Sequence, residues 1–127
     1  MKKFKLFPVK GSNEYYYCYI YDDWYILRQS YQKYAMYKNL EAVTISYKAY
    51  NGKKLLNRMG EVMFYKEGIT PEVVCHEMTH AVNKYFNRKK FNFKLGNKIS
   101  DMWKELDEWH AMMVGHMVEQ FYKKYSK

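Results

Sequence analysis

The chain is short of cysteine, of acidic residues and of long apolar runs. Cys18 and Cys75 are its two cysteines. Two cannot make a disulfide framework, so stability has to come from a core, and a reducing, cytoplasmic location is expected. Cys75 precedes His76 but points about 100° away on a helix, so it is expected to be a core residue and not a ligand. No apolar run approaches the length of a membrane span. The start, Met1-Lys2-Lys3-Phe4, lacks an apolar segment followed by small residues, so no secretion signal is expected. No internal repeat or low-complexity stretch is visible. At 127 residues the chain is long enough for one core, so a single domain over 1–127 is expected.

Acids number 13 against 22 lysines and arginines, a net charge of +9. The excess points to an acidic partner, either a protein surface or nucleic acid, although a cationic surface also keeps a protein in solution. The bases form no long tract. The tightest groups are Lys2-Lys3-Lys5, Lys53-Lys54-Arg58, Arg88-Lys89-Lys90 and Lys123-Lys124. Tyrosine is abundant, with 15 copies. Tyr15-Tyr16-Tyr17, Tyr19 and Tyr21 could stack bases, but the alternation suits a half-buried strand better.

His76-Glu77-Met78-Thr79-His80 carries the chemistry. Residues four apart share a helix face, so both imidazoles can reach one metal ion. Glu77 projects from the neighbouring face, where it can hold the attacking water and take its proton. The pattern points to a zinc-dependent hydrolase, most often a peptidase. Its context agrees. Thr70-Pro71-Glu72 offers an N-cap, a proline at the first helical position and an acid in the first turn. The helix is expected over about Pro71–Phe86, buried through Val74, Met78, Ala81 and Tyr85. The alternative is two hydrogen-bonded histidines on an amphipathic helix.

A catalytic zinc takes three protein ligands and leaves one position open. The third is expected from a second helix, about Ile99–Lys124. At 100° per residue Glu108, Ala111 and Gly115 share one stripe, and the small residues would let that helix come close enough to bring Glu108 to His76 and His80. The helix is apolar on most sides between Leu106 and Val118, so burial is expected. Alternatively, Glu108 sits at a solvated edge or pairs with a lysine. For an oxyanion donor the candidates are His116, about 80° around the helix from Glu108, and His110, about 200° around it. His116 is the nearer to the expected metal face.

The spacing His76-Glu77-x-x-His80 with Glu108-x-x-Ala111 resembles the gluzincin pattern, in which a downstream glutamate completes the site. Together with Gly60–Tyr65, Val73-Val74-Cys75 and Gly115-x-x-Val118, it resembles small metallopeptidases encoded by phages and prophages. It is similar, more loosely, to the peptidase domains that cleave phage repressors. The resemblance covers roughly residues 41–120. It implies His76, His80 and Glu108 as zinc ligands, Glu77 as general base, a protein or peptide substrate, and a host-cell cytoplasmic location. No substrate-recognition domain is expected from the sequence, and no partner domain of the repressor-cleaving kind. A protein that keeps zinc structurally and uses its basic surface to bind a host protein or nucleic acid is the competing reading.

The remaining elements follow from local signals. A first strand is expected around Phe4, Leu6 and Val9, a second over Tyr15–Tyr21, and others over Ala42–Tyr47 and Glu61–Tyr65. Asp22-Asp23 can cap a helix from about Trp24 to Tyr37. Asn51-Gly52 is a hairpin turn. Asn87–Gly96 reads as a basic loop between the two long helices. The expected fold is α+β and zincin-like: a small, mainly antiparallel sheet followed by two packed helices, with Gly60–Tyr65 as the edge strand that a peptide could extend.

Overall fold

In the computed structural model the described residues are 1–29, 42–89 and 99–127. The elements run β1 (Lys2–Leu6), β2 (Tyr15–Tyr21), α1 (Trp24–Gln29), β3 (Ala42–Ser46), β4 (Tyr50–Asn51), β5 (Lys54–Leu55), β6 (Arg58–Tyr65), a 3-10 turn, α2 (Pro71–Lys89) and α3 (Ile99–Tyr125). The fold is α+β, as the sequence predicts. The helix expected from Trp24 to Tyr37 is described as far as Gln29. Its remainder, and most of the expected loop over Asn87–Gly96, lie outside the described residues. Asn87 itself belongs to α2, which runs about a turn further than its apolar stripe suggests.

The main sheet has the order β1-β2-β6-β3. It is mixed: β1 and β3 pair antiparallel to their neighbours, while β2 and β6 run parallel. The expectation of Gly60–Tyr65 as the edge strand is therefore corrected. Those residues lie in β6, an interior strand, and β3 forms the edge beside it, with β1 at the opposite edge. The physical reason is hydrophobic: β6 buries Val62, Met63 and Phe64 in succession, facing both ways, which suits a strand covered on both faces. β3 is only half-buried throughout.

Alternation along β2 sets the two faces. Tyr16, Cys18 and Ile20 point into the main core, while Tyr15, Tyr17, Tyr19 and Tyr21 are half-buried on the other side. The main core joins the sheet to Val74, Met78, Ala81, Val82 and Tyr85 of α2 and to Met117 and Phe121 of α3. A smaller cluster around Leu27 of α1 and Met63 covers part of the opposite face. Phe121 anchors α3, with its ring 4.9 Å from Phe64 and 5.9 Å from Phe4. The Gln120 amide exchanges two hydrogen bonds with the Phe7 backbone, which fixes α3 against the end of β1.

Gly60 lets the edge strand close on β6. A Cβ there would stand 1.9 Å from the Ile45 carbonyl oxygen, so only glycine fits. The Asn51-Gly52 turn closes the β4/β5 hairpin, with Gly52 at φ 63°.

Candidate metal centre

The Thr70 hydroxyl accepts from the Val73 N–H, and α2 begins at Pro71. This is the N-cap read from the sequence. Packing through Val74, Met78, Ala81 and Tyr85 turns the opposite stripe outward. His76 and His80 sit on that stripe, both exposed, with their Nε2 atoms 3.1 Å apart. Two metal–nitrogen bonds of about 2.05 Å meeting near a tetrahedral angle span roughly 3.3 Å, so the separation of the pair is compatible with one metal ion. His76, Glu77 and His80 offer ligand atoms within 4.8 Å of one another, forming the possible metal cluster among the described residues.

Glu77 differs from the histidines in being 5% exposed. The Thr44 hydroxyl of β3 lies 3.1 Å from Glu77 Oε2 and 3.2 Å from its backbone carbonyl, so its single hydrogen is shared between them. Burial pushes the Glu77 carboxyl above its ordinary value. The Thr44 hydrogen bond and the charges of His76 and His80 pull the other way. The edge strand is fastened to α2 a second time. Tyr16 donates to the Ala81 carbonyl over 3.0 Å and accepts from Ser46 over 3.1 Å. The edge strand is thus tied to the motif helix at Glu77 and, through Tyr16, at Ala81.

α3 sits differently from expectation. Its inward stripe consists of Met117 and Phe121, with Met113 and Val114 half-buried. Glu108, Ala111 and Gly115 face out, and nothing lies within 4 Å of a Cβ built on Gly115. The small-residue stripe is therefore not the helix contact, and this helix is not apolar-buried over its middle: Asp107, Trp109 and Met112 are exposed as well. Large apolar side chains gain more from burial than Ala and Gly do, so the Met/Phe stripe takes the interior. Glu108 is exposed and does not belong to the cluster of possible ligands.

The histidines of α3 exchange their expected places. His110 reaches α2, with Nε2 2.7 Å from Asn83 Oδ1 and its ring against Phe86. His116 lines an apolar groove with Pro8, Val9, Trp109 and Met112, away from that contact. Asn83 follows His76 at i+7 and His80 at i+3 and so continues their stripe, a signal legible in the sequence that had no partner to give it meaning. Thr44 had no signal at all beyond β-propensity. Cys75, expected in the core, is exposed, and Cys18 is the buried cysteine.

No family model, curated protein or solved structure matches the chain.

Proposed function

We propose that the chain is a zinc-dependent peptidase of gluzincin type, and that it comes from a phage or mobile element. The observation that carries the reading is the buried Glu77 carboxylate, held by Thr44 beside two imidazoles spaced for one ion. A purely structural metal site has no use for a buried, unligated acid at that position. His76 and His80 would hold the zinc, with Glu108 as the proposed third ligand. Bound there, zinc acts as a Lewis acid that polarises a carbonyl and acidifies a water.

The chain's own groups do the rest. Glu77 holds the attacking water by a hydrogen bond, takes its proton, and passes it to the leaving amine. A carboxyl raised by burial is a stronger base than an exposed one, which suits that task near neutral pH. β3 presents an unpaired backbone edge among the described residues. An extended peptide can pair with it and lie across Glu77. The test is elemental analysis for one zinc per chain, joined to a host-proteome cleavage screen of wild type against Glu77→Gln. Fragments made only by the wild type, with zinc in both proteins, support catalysis. Identical patterns refute it.

One observation favours the second reading, a binding protein with a basic surface. On the sheet face opposite α2, Lys3 lies 4.0 Å from the Tyr17 ring centre, Lys5 4.3 Å from Tyr15, and Arg58 5.0 Å from Tyr17. Cations interleaved with aromatic rings suit an acidic protein or nucleic acid. That reading becomes the leading one if Glu77→Gln keeps the full biological effect.

A further inference from the structure

β3 and α2 stay side by side beyond the histidines. Past Ser46 a cavity of about 220 Å³ lies between the two elements. Lys48, Lys84, Asn87, Arg88, Ser46 and Tyr16 are among the residues that line it, and none of the described lining residues is acidic. Both flanking elements lead into it from the centre. Lys84 and Asn87 follow His80 at i+4 and i+7, so they continue the histidine stripe along α2. Lys48 lies two residues past Ser46, the last residue of β3, and lines the cavity with it. Four residues of extended chain separate Thr44 from Lys48, or roughly 13 Å.

Arg88 places a guanidinium in the wall of the cavity. Its side chain is 9% exposed. Nε donates to Glu14 over 2.9 Å and Nη2 to the Leu56 carbonyl over 2.7 Å. Nη1 is buried and has no partner among the described residues. A buried donor left unpaired is costly, and positive charge held there favours a negative group in the adjoining space. The exposed amines of Lys48 and Lys84 add positive charge at the mouth.

We infer that this cavity is a specificity subsite of the proposed peptidase, taking an aspartate or glutamate side chain of the substrate about four residues from the scissile bond. The inference rests on the peptidase reading for its geometry: a peptide paired with β3 and crossing Glu77 carries its fourth residue to Lys48. Charge-assisted hydrogen bonds from the two lysines then select a carboxylate over its amide.

The experiment uses coumarin-labelled heptapeptides in matched Glu and Gln pairs, with the pair moved through every position. Cleavage rates are read with the zinc-loaded protein, and affinities with Glu77→Gln by fluorescence anisotropy. The expected result is one position at which Glu exceeds Gln by about 5- to 10-fold. In the double variant Lys48→Glu/Lys84→Glu that preference should vanish or turn toward Lys. Both lysines are exposed, so the variant should keep its circular dichroism spectrum. Equal rates and affinities at every position would overturn the subsite and leave the peptidase reading standing. So would a preference unchanged by the double variant. If no peptide is cleaved, the peptidase reading fails, and the anisotropy arm still decides whether the cavity selects acidic side chains. Tighter binding of a thymidine oligonucleotide than of any acidic peptide, lost in the same double variant, would overturn the inference in favour of nucleic acid.

Discussion

The Thr44 hydroxyl stands 3.1 Å from the Glu77 carboxylate, tying the outermost strand of the sheet to the acid in the middle of the HExxH motif. The contact joins two segments 33 residues apart. It makes the edge strand part of the site, since whatever displaces β3 also alters the environment of the proposed base.

Thr44→Val removes the one side-chain hydrogen bond that counters the burial of Glu77. The carboxyl should therefore titrate higher still than in the wild type. A base must be ionised to act, so the acid limb of the pH–rate profile should move to higher pH. NMR titration of the Glu77 side-chain carbon in the metal-free protein checks the same shift without a substrate. The variant should also lose about 1–2 kcal/mol of stability, because a buried acceptor loses its donor. A titration that stays put or moves downward would contradict this assignment.

Glu77→Gln should stabilise the metal-free protein at neutral pH, by something on the order of 1 kcal/mol. The carboxyl value is raised in the folded state from an ordinary 4.5, mainly by burial. Below the ordinary value the group is neutral folded and unfolded, and it imposes no charge cost. As pH rises from there through the raised folded value, the folded state comes to bear a buried charge and loses stability. The melting-temperature difference between variant and wild type should thus be near zero in acid and positive at pH 7. A difference independent of pH would count against it. A general base that weakens its own fold is a common cost of function.

Gly60→Ala should cost about 3 kcal/mol, far more than a glycine-to-alanine change elsewhere in this chain. The added Cβ would strike the Ile45 carbonyl and the Ser46 backbone, and backbone atoms cannot swing aside. The edge strand should separate at that end, lowering the melting temperature and releasing Thr44 from Glu77. A melting temperature unchanged within a degree or so would refute the close approach of β3 to β6.

Gly115→Ala should act in the opposite direction. The position is inside α3, exposed, and open to solvent where a Cβ would stand. Alanine is favoured over glycine in a helix interior by about 0.5–1 kcal/mol. Thermal unfolding should show a gain, with zinc affinity unaffected. A loss of stability would restore the stripe as a helix contact.

Glu108→Ala tests the third ligand. The carboxylate is exposed in this structure, so it can serve only if zinc draws it to His76 and His80. If it does, its removal should weaken zinc binding by on the order of 100-fold, read by competition with a chelator dye. Equal affinity in variant and wild type would leave the third position to solvent or another group.

Local periodicity and capping were legible in the sequence by themselves. The histidine pair, the Thr70 cap, the Asn51-Gly52 turn and the alternation of β2 all depend on neighbours within a few residues, and each stands where the pattern puts it. Tertiary structure decided the rest. Which strand lies at the edge depended on β6 being apolar on both faces, so that a neighbour on each side buries more surface than an edge position would. Which stripe of α3 turns inward depended on competition between stripes on one helix. Met117 and Phe121 bury more apolar area than Ala111 and Gly115, so Glu108 is carried outward and His110, not His116, meets α2. Thr44 became part of the site only when pairing with β6 laid β3 alongside α2, a contact that no spacing along the chain encodes.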